Sequence, residues 1–317
     1  MKKTKKKSKS QGKINFIIIG DMGKGTIEQY KVGNSISKLM KSTKYSFIHG
    51  LGDNIYPNGC KDVEDSLFKT HFEKPYKKLS NHIKWYMCLG NHDYGYSPFF
   101  AADILPQGVN DMIFRDNSKS QLDYHIESKK RGGKWVMPSR FYTHTKGPIE
   151  FFVLDTNFDR ISADLIKKQR TYMKQAIKKS KKRWKILVGH HTWRSVAEHG
   201  SAEFPKLEEF LNDLGNNTDI DMYLCGHDHC KSLIMKPLKK RKIPLIVCGT
   251  GGERYDWNVY LSKLKDDKSE LEFFSPNLGV CSMECSGDTL KATFYDEKCT
   301  EEFTYEYYIE ELLTNTD

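Results

Sequence analysis

Five short stretches of this sequence hold the residues that can do chemistry, and they share one design. Each is an apolar run, then a glycine, then a polar cluster: Ile17-Ile18-Ile19-Gly20-Asp21, Phe47-Ile48-His49-Gly50-Leu51-Gly52-Asp53-Asn54-Ile55-Tyr56, Met87-Cys88-Leu89-Gly90-Asn91-His92-Asp93, Leu187-Val188-Gly189-His190-His191 and Tyr223-Leu224-Cys225-Gly226-His227-Asp228-His229. A short apolar run reads as a buried strand, and glycine lets the chain turn sharply past its end. Open α/β sheets bind their ligands at such strand ends. The donors delivered there are Asp21, Asp53, Tyr56, Asn91, His190, His227 and His229. That is too many for one tetrahedral site and suits two ions sharing a carboxylate. The shared ligand needs two usable oxygens, and Asp53 is the natural choice. A phenol binds well only as phenolate, which a highly charged ion favours, so Tyr56 points to trivalent iron beside a divalent ion. His49, His71, His82, His125 and His144 lack this context and read as surface or core histidines.

The elements needed to position these donors follow from periodicity. Strands are expected at 13–19, 45–51 and 83–89, with a helix from the capping box Thr26-Ile27-Glu28-Gln29 to about Lys41 between the first two. Residues 62–79 place Leu67, Phe68, Phe72 and Tyr76 on one side of a second helix. Strand, helix, strand, helix, strand is the pattern of parallel βαβ units. Residues 94–134 lose periodicity and read as a long loop insertion beside the site, with one short strand at Leu122–Ile126; loops this long are commonly functional. Strands follow at 140–143, 149–154, 184–188 and 222–225. The helix 162–180 is expected to bury Leu165, Gln169, Tyr172, Met173 and Ala176, and residues 205–214 form another helix. From Lys231 onward the sequence is nearly all strand, and these late strands are expected to complete the second sheet. The fold that accommodates this is α/β, a four-layer α/β/β/α sandwich of two mixed sheets flanked by helices. No linker divides residues 13–312, which form one domain between a basic tail (1–12) and a short C-terminal tail (313–317).

At 317 residues the chain can bury a sizeable core. Of its net charge of +10, Lys2, Lys3, Lys5, Lys6, Lys7 and Lys9 supply more than half. That tail reads as a solvated, disordered arm; nuclear import or nucleic-acid contact is the sharper alternative, confined to the tail. The lysines are not followed by the apolar core of a secretion signal, and no run approaches the ~18 apolar residues that span a bilayer. An intracellular protein is expected, cytoplasmic with a nuclear alternative. The eight cysteines then read as reduced, with Cys88, Cys225 and Cys248 as small core residues.

The order Gly-Asp-x-Gly (20–23), Gly-Asp-x-x-Tyr (52–56), Gly-Asn-His-Asp (90–93), Gly-His (189–190) and Gly-His-x-His (226–229) resembles the purple acid phosphatases. These belong to the calcineurin-like metallophosphoesterase superfamily, and the small tartrate-resistant type is the one resembled. Leu154-Asp155-Thr156 and Ser195-Val196-Ala197-Glu198-His199-Gly200 extend the likeness, which covers about 13–309. The resemblance implies hydrolysis of phosphate monoesters, from small molecules or phosphoproteins. It assigns Fe(III) to Asp21, Asp53, Tyr56 and His229, and a divalent ion (Fe(II), Zn(II) or Mn(II)) to Asp53, Asn91, His190 and His227. It implies a metal-bound hydroxide attacking phosphorus in line, with His92 and His199 facing the phosphate and protonating the leaving oxygen. The secreted animal enzymes have a disulfide near the positions of Arg160 and Phe204, neither of which is cysteine here. Two other readings remain open. One is a metallophosphodiesterase or Ser/Thr protein phosphatase using two divalent ions, with Tyr56 a bystander. The other is a catalytically silent scaffold, against which every ligand position being filled weighs.

Overall fold

The computed structural model describes residues 13–95, 116–239, 241–255, 259–264 and 268–309. The basic tail (1–12), the centre of the expected loop insertion (96–115) and the C-terminal residues 310–317 lie outside them. In chain order the strands are β1 (Ile14–Ile19), β2 (Phe47–Gly50), β3 (Lys84–Met87), β4 (Trp135–Val136), β5 (Tyr142–Lys146), β6 (Ile149–Val153), β7 (Trp184–Val188), β8 (Met222–Cys225), β9 (Lys231–Leu238), β10 (Arg241–Cys248), β11 (Glu270–Ser275), β12 (Gly279–Ser286), β13 (Thr289–Asp296) and β14 (Glu301–Tyr308). They form two seven-stranded mixed sheets, ordered β14-β13-β12-β1-β2-β3-β4 and β11-β9-β10-β8-β7-β6-β5. The helices are α1 (Ile27–Ser42), α2 (Ser118–Lys130), α3 (Ala163–Lys179) and α4 (Pro205–Asn217).

Side-chain alternation along the strands makes the layers. Ile149, Phe151 and Val153 of β6, Trp184, Ile186 and Val188 of β7, and Met222 and Leu224 of β8 enter a core shared with the first sheet. Their neighbours Phe152, Leu187, Tyr223 and Cys225 face the opposite way, into a second core closed by Ile166, Met173 and Ile177 of α3 and Leu207, Phe210 and Leu214 of α4. Phe16 and Phe47 stack at 4.8 Å within the first sheet, and both meet the ring of Phe151 edge-on from the second. The two-sheet sandwich is therefore as expected, with one correction. Only β9–β11 join the second sheet, whereas β12–β14 return to extend the first through the antiparallel pair β1·β12. Strand periodicity reports which face is buried, not which sheet the strand joins.

Local chemistry sets the helix ends. Thr26 Oγ1 accepts the Gln29 N–H at 3.4 Å, while Gln29 Oε1 accepts the Gly25 N–H at 2.7 Å, one residue outside the usual capping box. Pro205 begins α4, where its missing N–H costs nothing. Three expectations need correction. Leu122–Ile126 is not a strand: it lies inside α2, because Ser118, Gln121, Tyr124 and Ser128 are buried at helical spacing while Ile126 is 53% exposed. The segment 62–79 forms mainly a π-helical stretch, Phe68–Glu73, packed through Phe68 stacked on Tyr124 at 3.7 Å. In α3 the buried face is Ile166, Gln169, Met173 and Ile177, one position on from Leu165, Tyr172 and Ala176.

Candidate metal centre

The seven donors come from both sheets. β1, β2 and β3 run parallel and lead into Asp21, Asp53 and Asn91; β7 and β8 lead into His190, His227 and His229. Across the two sheet edges the Gly20 N–H donates to Cys248 O at 2.7 Å and the Gly251 N–H to Gly20 O at 3.0 Å, while within each edge Asp21 N–H donates to Gly52 O at 3.0 Å and Gly226 N–H to His190 O at 3.0 Å. Asp21, Asp53 and His227 each sit in the left-handed region, with φ of 55°, 50° and 73°. Non-glycine residues seldom do so, and such strain concentrates at functional sites.

The donors gather as two groups that meet at Asp53. In the first, the Tyr56 hydroxyl lies 2.9 Å from Asp53 Oδ2, 3.3 Å from Asp21 Oδ1 and 3.1 Å from His229 Nε2. One phenol proton cannot serve three acceptors. Burial, with Asp53 and Asp21 alongside, pushes the Tyr56 phenol well above its usual value, so only a cation can make it a phenolate. In the second group, Asn91 Oδ1 is 3.0 Å from His190 Nε2 and 3.2 Å from His227 Nδ1, and those two nitrogens are 3.2 Å apart. His190 Nδ1 faces Leu51 O at 2.8 Å and His227 Nε2 faces Glu203 Oε2 at 2.8 Å, so both outer nitrogens carry the protons. The inner nitrogens of the neutral rings then aim lone pairs at the point where the Asn91 oxygen also aims. Outer partners of this kind fix the tautomer of metal-binding histidines. Burial opposes charge on His190, yet Asp53 Oδ1, 3.4 Å away, pushes it up to about 10. Positive charge is called for here whether a proton or an ion supplies it. Asp21, Asp53 and His190 present ligand atoms within 4.8 Å of one another. The residues therefore fit a pair of cations.

His92 and His199 stand at the open side. The His92 N–H donates to Asp53 Oδ1 at 2.9 Å, its ring lies 4.3 Å from that of Tyr56, and Nδ1 donates to Pro57 O at 2.6 Å, leaving Nε2 available. The exposed His199 ring packs 4.2 Å from that of His227.

A supporting layer escaped the sequence reading. Asp93 accepts the N–H groups of Gly90 (2.8 Å), Asn54 (2.9 Å) and Ile55 (3.1 Å) and the Gln121 amide (2.6 Å), tying the second motif to the third. Thr156 Oγ1 accepts the His190 and His191 N–H groups. Asp228 accepts the His199 N–H at 2.9 Å. Asp93 and Asp228 sit inside the motifs, so their places carried a signal. Glu203 had none. On the far wall Glu253 Oε2 is 3.6 Å from His229 Nδ1 and also pairs with Lys24, whose ammonium lies 4.5 Å over the Tyr56 ring.

Comparison with known proteins agrees with this geometry. The calcineurin-like phosphoesterase family matches residues 14–231. Purple acid phosphatase 4 of Arabidopsis thaliana is 27% identical over 304 residues, 90% of this chain and 80% of that protein. Tartrate-resistant acid phosphatase type 5 of Homo sapiens is 27% identical over 243 residues, 68% of this chain and 67% of that protein. Two solved structures share the fold. GAP50, described as the anchor in the inner membrane complex of Plasmodium, matches with a TM-score of 0.73 at 21% identity, over 94% of this chain and 89% of that one. A purple acid phosphatase from yellow lupin (Lupinus luteus) seeds matches with a TM-score of 0.72 at 14% identity, over 96% of this chain and 55% of that one. With a family match across more than half its length and this donor set at its strand ends, the chain belongs to the calcineurin-like phosphoesterases, metal-dependent hydrolases, and within them is similar to the purple acid phosphatases.

Proposed function

We propose that the protein hydrolyses phosphate monoesters at a mixed-valence pair of ions, Fe(III) held by Asp21, Asp53, Tyr56 and His229, and Fe(II), Zn(II) or Mn(II) held by Asp53, Asn91, His190 and His227. One observation carries this reading: Asp53 turns Oδ2 to the Tyr56 group and Oδ1 to the His190 group. When bound, such a pair supplies the acidity that makes water nucleophilic and the charge that offsets a developing oxyanion. The chain's own residues do the rest. Asp53 is anchored by the His92 N–H, so the shared carboxylate and this histidine move together. His92 presents Nε2 to the open side, where it can hold a proton for the leaving oxygen. Asp228 fixes the backbone of His199, which shares that role.

The eight cysteines are free thiols in this structure. Among the described residues no helix is long and apolar enough to cross a membrane. The test is optical and kinetic. The oxidised, iron-loaded protein should absorb in the visible, lose that band in Tyr56→Phe, and hydrolyse phenyl phosphate roughly 10²–10⁴-fold more slowly in His92→Ala and His199→Ala. A band that survives Tyr56→Phe refutes the ligand assignment, and iron-free activity favours the reading with two divalent ions.

A further inference from the structure

Once the donors of the metal centre are placed, one buried histidine beside them is left without a task. His191 follows His190 and is fully buried, yet its Nε2 finds no hydrogen-bond partner among the described residues. A buried polar atom left unpaired is costly and calls for an explanation. The other ring nitrogen, Nδ1, lies 2.8 Å from Thr156 Oγ1, a hydroxyl that can accept the ring proton and leave Nε2 a bare lone pair. Nε2 itself is 4.0 Å from Glu203 Oε2, and that same oxygen is 2.8 Å from His227 Nε2. The rings of His191 and His227 pack 4.5 Å apart, and one ligand atom from each of His191, Glu203 and His227 lies within 4.8 Å of the other two. Both histidines are buried, whereas the Glu203 side chain, from the loop between His199 and α4, is 38% exposed, so an ion can reach the group from solvent.

We propose that His191, Glu203 and His227 form a third cation site, distinct from the pair that shares Asp53, and that it takes an exchangeable divalent ion such as Zn(II). Two imidazoles and a carboxylate are a ligand set of open zinc sites. Magnesium and calcium prefer all-oxygen surroundings, so the two nitrogens select against them. A zinc ion bound tetrahedrally by these donors would hold them about 3.4 Å apart. The observed spacings of 2.8 and 4.0 Å fall on either side of that, and a swing of the exposed carboxylate evens them. The fourth position faces solvent, as suits an ion that comes and goes rather than a closed structural one. On His227 the ion takes the place of the Nε2 proton, so the ring stands between this ion and the divalent member of the pair at Nδ1. Only that last relation, and the count of three, rest on the two-ion reading above.

The experiment titrates zinc chloride by calorimetry into the full chain already loaded with iron and zinc, and counts bound metal by elemental analysis. The wild type should take up one further zinc per chain. His191→Phe keeps a ring between Phe204 and His227 but removes both nitrogens, and should weaken that step roughly tenfold or more. Glu203→Gln keeps an acceptor for His227 Nε2 but gives up the anionic ligand, and should weaken it similarly while the pair stays loaded. Glu203 is at the surface, so this variant decides the matter if His191→Phe does not fold. No further zinc in the wild type overturns the site, as does a further zinc whose affinity neither variant alters, which places that ion on unrelated surface groups. A wild type that binds a single ion, lost in His191→Phe, instead overturns the two-ion reading and leaves this site standing.

Discussion

Replacing Gly90 by alanine tests the proposal that Asp53 is shared between two ions. The substitution adds one methyl group, and a Cβ there would lie 2.2 Å from the Asp53 backbone nitrogen and 2.2 Å from Asp53 Oδ1. Carbon needs about 3.5 Å from its neighbours, so the Asp53 loop must retreat by roughly 1 Å. Overpacking of this kind costs about 1–3 kcal/mol, a fall in Tm of roughly 3–10 °C for a domain of this size. Metal sites tolerate only about 0.2 Å in ligand distance, so the effect on metal should exceed the effect on stability. Gly132→Ala is the control: φ there is +67° and a Cβ meets nothing within 4 Å. Its left-handed backbone costs about 1–2 kcal/mol with an alanine, a similar stability loss far from the donors. Thermal unfolding and chelator competition for iron and zinc are measured on both variants. Gly90→Ala should lose metal affinity by tenfold or more while Gly132→Ala keeps it. Two variants with equal stability loss and equal, unchanged affinity would refute the placement of Asp53 between the ions.

Other outcomes follow from the same contacts. Glu203→Leu should weaken metal binding roughly 10–100-fold, because it frees the outer nitrogen of His227; Glu203→Gln, which keeps an acceptor, should recover most of it, and chelator titration decides. Asp93→Asn, assayed at pH 8, should cost roughly 2 kcal/mol in denaturant unfolding: burial and Asp53 push Asp93 up to about 7, so it is ionised there, and either amide orientation sets an NH₂ against a backbone N–H. Phe151→Ala, which empties the ring contacts between the sheets, should cost about 3–5 kcal/mol by the same measurement. His49 predicts acid sensitivity: burial lowers its value from 6.5 to about 3, so the unfolded chain takes up a proton that the fold refuses. Stability contributed by the neutral ring is complete above pH 6.5 and falls by about 1.4 kcal/mol per unit as pH drops from there towards 3. His49→Gln should flatten that slope; an unaltered slope assigns it elsewhere.

What sequence reading reaches depends on whether the determining contact is local. The gathering of the five loops was legible because the strand, the turn and the polar side chain are contiguous, as in Gly226-His227-Asp228-His229 after β8. Leu122, Tyr124 and Ile126 mislead because their alternate spacing imitates a strand, whereas the choice is made by Gln121, which must reach Asp93 and Asn54 from one face of a helix. The turn of α3 by one position has a similar cause: Ile166 and Ile177 fill space beneath the sheet, and Tyr172 is left at the surface beside Phe141. Glu203 was out of reach, since it acquires its place only by meeting a histidine more than twenty residues away. The candidate donors lie in short contiguous motifs, whereas Glu203 is attached to them only through its tertiary contact with His227, so the centre can keep its motifs and still be retuned from outside them.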